Sequence, residues 1–221
     1  MNLWTASPSF AAEPPAALAE VFAMGTDGAA PGFVLAHLTP GARVLWVQDR
    51  LSRREGGRPY LPGLTGLLGG PLELLHLEVP RAVDVLWALE QALGCAALSA
   101  VVGEVWGEPA ALDLTATKRL ALRAERGGGR AWLLRRAAAP ALSAARERWR
   151  VAAMPSPPAP DDPHAPGEAL WRATRFRSRR GALGEWLARR DPVQRGIAFL
   201  RPGDGWEALG AQAARPDRRS A

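Results

Sequence analysis

The chain contains 221 residues, a length that fits one ordinary domain with additions or two small domains. It carries 28 Lys and Arg residues against 22 Asp and Glu residues, and 48% of its residues are apolar, which excludes a chain that is disordered throughout. The one cysteine excludes a disulfide framework and a multi-thiolate metal site, and no apolar run reaches the roughly eighteen residues of a membrane span. Residues 1–10 contain neither a basic residue nor an apolar core, so we expect no secretory signal and a cytoplasmic protein.

The positive charge is concentrated in the last third of the chain. Residues 1–145 contain 13 basic and 13 acidic side chains, whereas residues 146–221 contain 15 basic and 9 acidic ones. Lys118 is the only lysine, and a composition so rich in arginine is also what a GC-rich coding sequence produces. The position of the charge is therefore more informative than the number of arginines, and it indicates an anionic partner for the C-terminal third.

Apolar runs alternate with amphipathic stretches between residues 16 and 154, after an aperiodic arm at residues 1–15. The predicted strands are residues 20–24, 43–48, 72–79, 98–102, 131–134 and 148–153. The predicted helices are residues 31–38, 81–93, 114–126 and 141–147, and the Gly- and Pro-rich residues 50–71 are predicted to be a loop. Asp113 is the expected N-cap of the third helix, with Leu114, Ala121 and Leu122 on its inner stripe. This alternation predicts an α/β fold with a mostly parallel sheet flanked by helices.

The C-terminal part has a different composition. Residues 152–168 contain six prolines, which predicts an extended linker over residues 155–168. Two strand-like runs, residues 170–179 and 182–190, flank Arg180–Gly181 and predict a basic β-hairpin, followed by a frayed tail from Asp191. We expect the hairpin and tail, residues 169–221, to be separable from the core at Gly167.

The turn after the first strand lies where a phosphate-binding loop would lie. Such a loop has the pattern G-x-x-x-x-G-K-[ST], in which Lys and a hydroxyl serve the phosphates and Mg²⁺. Counted from Gly25, these two positions are Pro31 and Gly32, which favours a turn that begins a helix over nucleotide binding. Asp49 and Glu104 follow later strands as the carboxylates that could assist such a site. The positions of this degenerate loop and its carboxylates are Gly25, Asp27, Gly28, Ala30, Pro31, Gly32, Asp49 and Glu104.

Other catalytic patterns are missing from the sequence. There is no G-x-S-x-G motif, the three histidines form no metal-binding pattern, and Cys95 is predicted to be a buried, inert thiol. We therefore predict no catalytic residue, metal or cofactor. A divergent ATPase that uses Asp27, Asp49 and Glu104 remains an alternative.

Arginines and aromatic residues cluster near the C-terminus, as in proteins that contact single-stranded nucleic acid. Three arginines surround Trp149, and Arg175, Arg177 and Arg179 alternate, so that on one strand face they would form a basic row. A solvated hairpin with buried tryptophans is the alternative. The candidate nucleic-acid or partner contacts here are Arg146, Arg148, Arg150, Arg172, Arg175, Arg177, Arg179, Arg180, Trp171 and Trp186.

The order of several blocks resembles the ImuA family. The resemblance runs over residues 16–190 and includes Arg43-Val-Leu-Trp-Val-Gln-Asp49, Tyr60-Leu-Pro-Gly-Leu64 and Ala100-Val-Val-Gly-Glu104. Further blocks are residues 72–79, 88–93, 112–120, 142–151 and 171–186. The resemblance implies a RecA-like core and an accessory protein of error-prone translesion synthesis in the SOS response to DNA damage. The implied partners are ImuB and an error-prone polymerase subunit, with RecA and single-stranded DNA as further candidates, in the cytoplasm at the nucleoid.

The resemblance also assigns positions within the RecA-like core. Gly25–Gly32 matches the phosphate loop of RecA, Asp49 falls where RecA has its catalytic Glu, and Gly103 falls where RecA has its Walker B Asp. These departures argue against ATP hydrolysis. Residues 135–150 correspond to the second DNA-binding loop of RecA and the strand after it, which adds Arg135 and Arg136 to the candidate contacts. A division inhibitor like SulA, which binds FtsZ, is the alternative within the same fold, although it needs no basic hairpin.

Overall fold

The computed structural model describes residues 18–179, 181–191, 193 and 195–200. The strands in this part of the chain are β1 Leu18–Ala23, β2 Ala42–Asp49, β3 Leu72–Val79, β4 Ala100–Trp106, β5 Arg130–Arg136, β6 Glu147–Met154, β7 Leu170–Ser178, β8 Gly184–Asp191 and β9 Gly196–Leu200. The helices are α1 Ala29–Ala36, α2 Arg50–Gly56, α3 Leu61–Leu68, α4 Ala82–Ala92 and α5 Leu114–Gly127. None of these helices is both long and apolar enough to cross a membrane.

All of these strands belong to one sheet in the order β3-β2-β4-β5-β1-β6-β7-β8-β9. The strands from β3 to β6 in this order are parallel, and β6 to β9 form an antiparallel meander. This arrangement confirms the predicted α/β fold with a mostly parallel sheet and a C-terminal hairpin, and it is consistent with a RecA-like core. The inner parallel strands β1, β2 and β4 are largely apolar and buried, as expected for strands covered on both faces.

Helices cover the sheet on both faces and divide the core into two layers. On one face α1 and α3 pack with an aromatic group that includes Phe33, Trp149, Trp171 and Phe199. On the other face α4 and α5 pack against Leu45, Val101, Leu133 and neighbouring apolar residues. The hairpin strands β7 and β8 contribute Trp171 and Trp186 to the first layer, so they are part of the main core.

Two predictions about the elements are wrong. Residues 50–71 contain α2 and α3, because the Asp49 carboxylate caps α2 by accepting the Ser52 N–H at 2.6 Å, and Gly69 ends α3 in the left-handed region at φ 68°. Residues 141–146 are not helical. They form an irregular segment with bends at Leu142 and Arg146, and the Arg146 N–H donates to the Leu18 carbonyl at 3.0 Å.

The C-terminal strands also differ from expectation. Residues 196–200, predicted to belong to a frayed tail, form β9 and place Phe199 in the core. Because β7, β8 and β9 supply three aromatic side chains to that core, they are not an appendage that can be removed at Gly167 without loss of packing. The boundaries predicted for the arm, core, linker and hairpin stay predictions, and residues 1–17 and 201–221 lie outside the described residues.

Three side chains that are predicted to be buried are exposed in the structure. Cys95 is exposed and not buried, since it follows the end of α4 in a turn. Leu114 and Leu122 are 37% and 51% exposed, because the inner face of α5 is formed by Ala116, Leu120 and Ala124 instead.

Arg190 of β8 ties the hairpin to the helices of the first layer. Its guanidinium is buried and donates to the carbonyl oxygens of Ala36 at 3.1 Å, Leu38 at 2.7 Å and Leu68 at 3.2 Å. These oxygens lie at the C-terminal ends of α1 and α3, where helix carbonyls have no partner within the helix. One side chain therefore satisfies the ends of two helices and joins them to the antiparallel half of the sheet.

Replacing Arg190 with Met is expected to lower the free energy of unfolding by about 3 kcal/mol, because buried carbonyl oxygens lose their donor. Urea titration of the wild type and the variant measures this loss. Arg189→Met is the matched control, since Arg189 pairs with the half-exposed Glu168, and it should cost less than about 1 kcal/mol. Equal losses in the two variants would contradict the assigned role of Arg190.

His37, at the C-terminal end of α1, couples stability to pH. Its Nδ1 lies 2.8 Å from the Phe33 carbonyl, and its ring packs against Phe33 and Trp132. Burial, and then the nearby Arg130 charge, lower the pKa of His37 from 6.5 to about 3. The folded state therefore favours neutral His37. Its contribution is fully present above the unfolded pKa of 6.5 and is lost as the pH falls toward 3.

We expect His37→Gln to flatten the acid side of the stability profile. As the pH falls from about 6 to about 4, the free energy of unfolding of the wild type should decrease by up to about 1.4 kcal/mol more per pH unit than that of the variant. The reason is that the wild type takes up a proton at His37 only when it unfolds. Urea unfolding at several pH values measures the difference. His164→Gln, at an exposed position, serves as the control and should keep the wild-type slope. Parallel profiles for wild type and His37→Gln would overturn this assignment.

Candidate functional site

The turn between β1 and α1 occupies the position of a phosphate loop at the carboxyl end of the central strand. Asp27 shapes it, because its Oδ1 accepts the Ala29 N–H at 2.8 Å and its Oδ2 accepts the Ala153 N–H at 3.0 Å. The first bond starts α1, and the second fastens the turn to β6. Gly25 takes a positive φ of 34°, and Gly28 is the N-cap of the helix without a side-chain bond.

A cation from the protein itself occupies this turn. The Nη1 of Arg136, at the end of β5, donates to the carbonyl oxygens of Gly25 at 3.2 Å and Asp27 at 2.9 Å. In a working phosphate loop the backbone N–H groups point at the ligand and bind its negative charge. Here the backbone presents carbonyl oxygens to a positive charge, so the turn has the opposite polarity.

The buried carboxylate of Glu104, on β4, is the counter-charge. Its Oε1 accepts from Arg136 Nε, and its Oε2 accepts from Trp46 Nε1 at 3.0 Å and Gln48 Nε2 at 2.9 Å. The Gln48 Oε1 in turn lies 2.8 Å from His76 Nε2 on β3. Both charged groups are almost fully buried, and the network joins β2, β3, β4, β5 and the turn after β1.

The C-terminal end of α2 covers this network. A Cβ added at Gly56 would lie 3.2 Å from the Arg136 Nε and 3.4 Å from the Glu104 Oε1, so the helix packs directly on the ion pair. Burial, and then the nearby charge of Arg58, lower the pKa of His76, which lies at the outer end of the network. The Arg136–Glu104 pair is therefore shielded from solvent, with the two residues 3% and 1% exposed.

The structure uses the other loop positions for packing. Ala30 is buried, and Pro31 and Gly32 lie inside α1. A Cβ at Gly32 would come within 2.9 Å of Trp171 Cζ2, so the position that holds a hydroxyl in a working loop is covered by a ring from β7. Asp49 caps α2 and is 5% exposed. Gly103 faces α4, where a Cβ would come within 2.5 Å of Leu89 Cδ1.

Of the predicted loop residues, the structure brings together Gly25, Asp27 and Glu104, and it does so around Arg136. Sequence reasoning placed Arg136 among the nucleic-acid contacts and did not pair it with Glu104. One feature of the sequence points to the Glu104–Arg136 pair: both charged residues come at the ends of apolar strands that are predicted to be parallel. In the observed register Glu104 lies opposite Leu134, two residues before Arg136.

A second buried ion pair lies beside β1. Glu20 accepts from Arg148 Nε at 2.6 Å and lies 3.9 Å from Arg135, and both guanidinium groups stack on the Phe22 ring. Burial lowers the pKa of Arg135, against the opposing effect of Glu20. These two arginines, predicted as nucleic-acid contacts, therefore fill the interior next to β1.

Arg175 is also buried. It pairs with Glu147 at 3.1 Å, donates to the Ala182 carbonyl at 2.7 Å, and lies over the rings of Trp149 and Trp186. A Cβ at Gly181 would come within 2.2 Å of its guanidinium, so the hairpin turn packs on this side chain. Burial thus removes six of the predicted contact side chains from the surface: Arg135, Arg136, Arg148, Arg175, Trp171 and Trp186.

The predicted basic row on β7 is interrupted by a bulge. Trp149 pairs with Arg175, and the preceding residue Arg148 pairs with Arg177, so Phe176 is an extra residue in the ladder. Consecutive residues of β6 face opposite sides, and Arg175 and Arg177 therefore lie on opposite faces. The prediction of one row through Arg175, Arg177 and Arg179 is wrong for this reason.

Four predicted arginines are exposed, and a fifth, Arg146, is partly exposed. Arg150 lies over the Phe176 ring at 4.8 Å, and Arg146 Nε donates to Glu125 at 2.9 Å. Arg180 lies outside the described residues. The basic surface of the described residues near β6 and β7 comprises Arg146, Arg150, Arg172, Arg177 and Arg179.

Comparison with known proteins identifies relatives over most of the chain. No family model matches it. Two curated relatives do, each called Protein ImuA, from Caulobacter vibrioides strain NA1000 / CB15N and from strain ATCC 19089 / CIP 103742 / CB 15. Each is 34% identical over 176 residues, which cover 72% of this chain and 68% of the relative. An identity of this level across more than two thirds of both chains, on a sheet consistent with a RecA-like core, shows that the chain belongs to the ImuA family.

Proposed function

We propose that this protein is a non-catalytic, RecA-like accessory protein of error-prone translesion DNA synthesis in the SOS response to DNA damage. It acts together with ImuB and an error-prone polymerase subunit, as the family membership suggests. The observation that carries the non-catalytic part is the Arg136 guanidinium inside the turn that would otherwise hold phosphates.

The groups that ATP hydrolysis requires differ from those in this turn, and this difference supports the proposal. A phosphate loop needs N–H donors, a lysine, a hydroxyl for Mg²⁺ and a carboxylate that positions water. Pro31 has no N–H, Gly32 is covered by Trp171, and Glu104 is neutralised by Arg136. A nucleotide would have to displace Arg136, which leaves the Glu104 charge buried without its partner, at a cost of about 3–5 kcal/mol.

In this proposal the sheet is a rigid support for contacts with other macromolecules. The exposed arginines near β6 and β7 supply positive charge for single-stranded DNA, RecA or an acidic surface of a polymerase subunit. Contacts of this kind weaken as salt concentration rises, because the ions screen exposed charges.

Mg-ATP is expected to leave the melting temperature of the wild-type protein unchanged, because Arg136 and Glu104 already satisfy each other in the turn. A bound ligand at a hundred times its Kd would add about 2.7 kcal/mol of stability. Thermal unfolding with and without Mg-ATP measures the effect, with a working P-loop ATPase as the positive control. A rise in melting temperature that Glu104→Gln abolishes would favour the divergent ATPase.

Deletion of the gene is expected to lower the frequency of mutations induced by ultraviolet light to the level of a strain that lacks its ImuB-type partner. Deletion of both genes should lower it no further, because the two proteins act in one complex. Rifampicin-resistance counts after irradiation measure these frequencies, and the wild-type gene on a plasmid should restore them. An unchanged frequency, with division arrest when the protein is overproduced, would favour a SulA-like inhibitor instead.

A further inference from the structure

A groove of about 590 Å³ lies between α5, the segment that precedes β6, and the end of β7. Its floor contains Ala144, Ala145 and the side of α5 with Leu122. The groove is built from three separate parts of the chain, so the sequence pattern of any one of them does not reveal it. We call it the α5 groove.

The rim of the α5 groove is strongly basic. Lys118 stands on α5, Arg146 comes before β6, and Arg177 and Arg179 lie at the end of β7, whereas Glu125 is the one acidic lining residue. Glu125 is held by Arg146 at 2.9 Å, so its charge is already compensated within the rim. Arg177 is fixed in place by donation to the Ser143 carbonyl at 3.2 Å. Apart from the Arg146–Glu125 pair, the groove is therefore lined by three exposed cations, Lys118, Arg177 and Arg179.

An apolar surface accompanies these charges. Leu122 is 51% exposed one helical turn after Lys118, and Leu142 is 80% exposed in the segment that continues into the floor. Exposed apolar side chains that lie together within a polar rim are typical of protein interaction sites. The α5 groove therefore offers cations at its rim and apolar surface on its floor.

This combination distinguishes between two kinds of anionic ligand. Single-stranded nucleic acid is bound by a basic groove with aromatic rings on which bases stack, and no aromatic ring lines the α5 groove among the described residues. The nearby Phe176 ring is covered by Arg148 and Arg150. An amphipathic peptide with carboxylates beside apolar side chains matches both the rim and the floor.

We propose that the α5 groove is the docking site for an acidic, amphipathic segment of a protein partner. The inference rests on the proposed function, in which the partner is the ImuB-type subunit. The carboxylates of the segment pair with Lys118, Arg177 and Arg179, and its apolar side chains cover Leu122. The floor then excludes water from the contact, which strengthens the ion pairs at the rim.

The test measures binding of the full-length chain to the ImuB-type protein of the same genome and, in parallel, to a fluorescent dT20 oligonucleotide. The charge-reversal variant is Lys118→Glu with Arg179→Glu, and the apolar variant is Leu122→Ser. Arg123→Glu with Arg126→Glu is the matched control, because both arginines are exposed on the same helix, outside the groove lining, and the change in net charge is the same. Melting temperatures verify that every variant is folded.

We expect the charge-reversal variant to raise the Kd for the ImuB-type protein at least about tenfold over the control and to remove most of its salt dependence. Leu122→Ser should weaken partner binding and leave dT20 binding unchanged. Loss of dT20 binding with intact partner binding would overturn the inference and assign the groove to nucleic acid. Equal partner binding by the groove variants and the control would overturn the inference alone. Failure of the wild type to bind the ImuB-type protein would overturn the proposed function as well.

Discussion

The buried ion pair between Glu104 and Arg136 is the contact on which the centre of this molecule depends. A charge inside a protein is tolerated only when it is paired and hydrogen-bonded, and here each partner meets that condition through the other. Glu104 also accepts from Trp46 and Gln48, and Arg136 also donates to the turn after β1. The network therefore fixes the carboxyl ends of neighbouring parallel strands at the place where RecA-like proteins hold a nucleotide.

Other arginines have a similar internal role and bind the two halves of the sheet together. Arg148 pairs with Glu20 across β6 and β1, Arg175 pairs with Glu147 across β7 and β6, and Arg190 satisfies the ends of two helices. Guanidinium suits these places because it remains charged, donates in several directions and stacks on rings. The arginine content of the chain is thus partly an interior property, and the number of arginines overstates the basic surface.

The surface that remains is consistent with an accessory protein whose work is contact with other macromolecules. Its exposed cations lie near β6 and β7, next to the exposed Leu122 of α5, and buried tryptophans pack the antiparallel strands against α1. A rigid support lowers the entropy lost when a partner docks. The turn held by Arg136 and the basic surface therefore both fit the proposed function, in which the protein acts through what it binds.

The sequence by itself determined those elements whose signals are local. The apolar run of β2, the strand at residues 72–79 and α5 with its Asp113 cap follow from period, propensity and capping within a few residues. Tertiary structure decided the rest. A bulge at Phe176 turns Arg177 away from Arg175, and β5 brings Arg136 to a carboxylate 32 residues earlier in the chain. Whether an arginine is a surface contact or an internal tie depends on the partner that folding places beside it, and no local pattern encodes that partner.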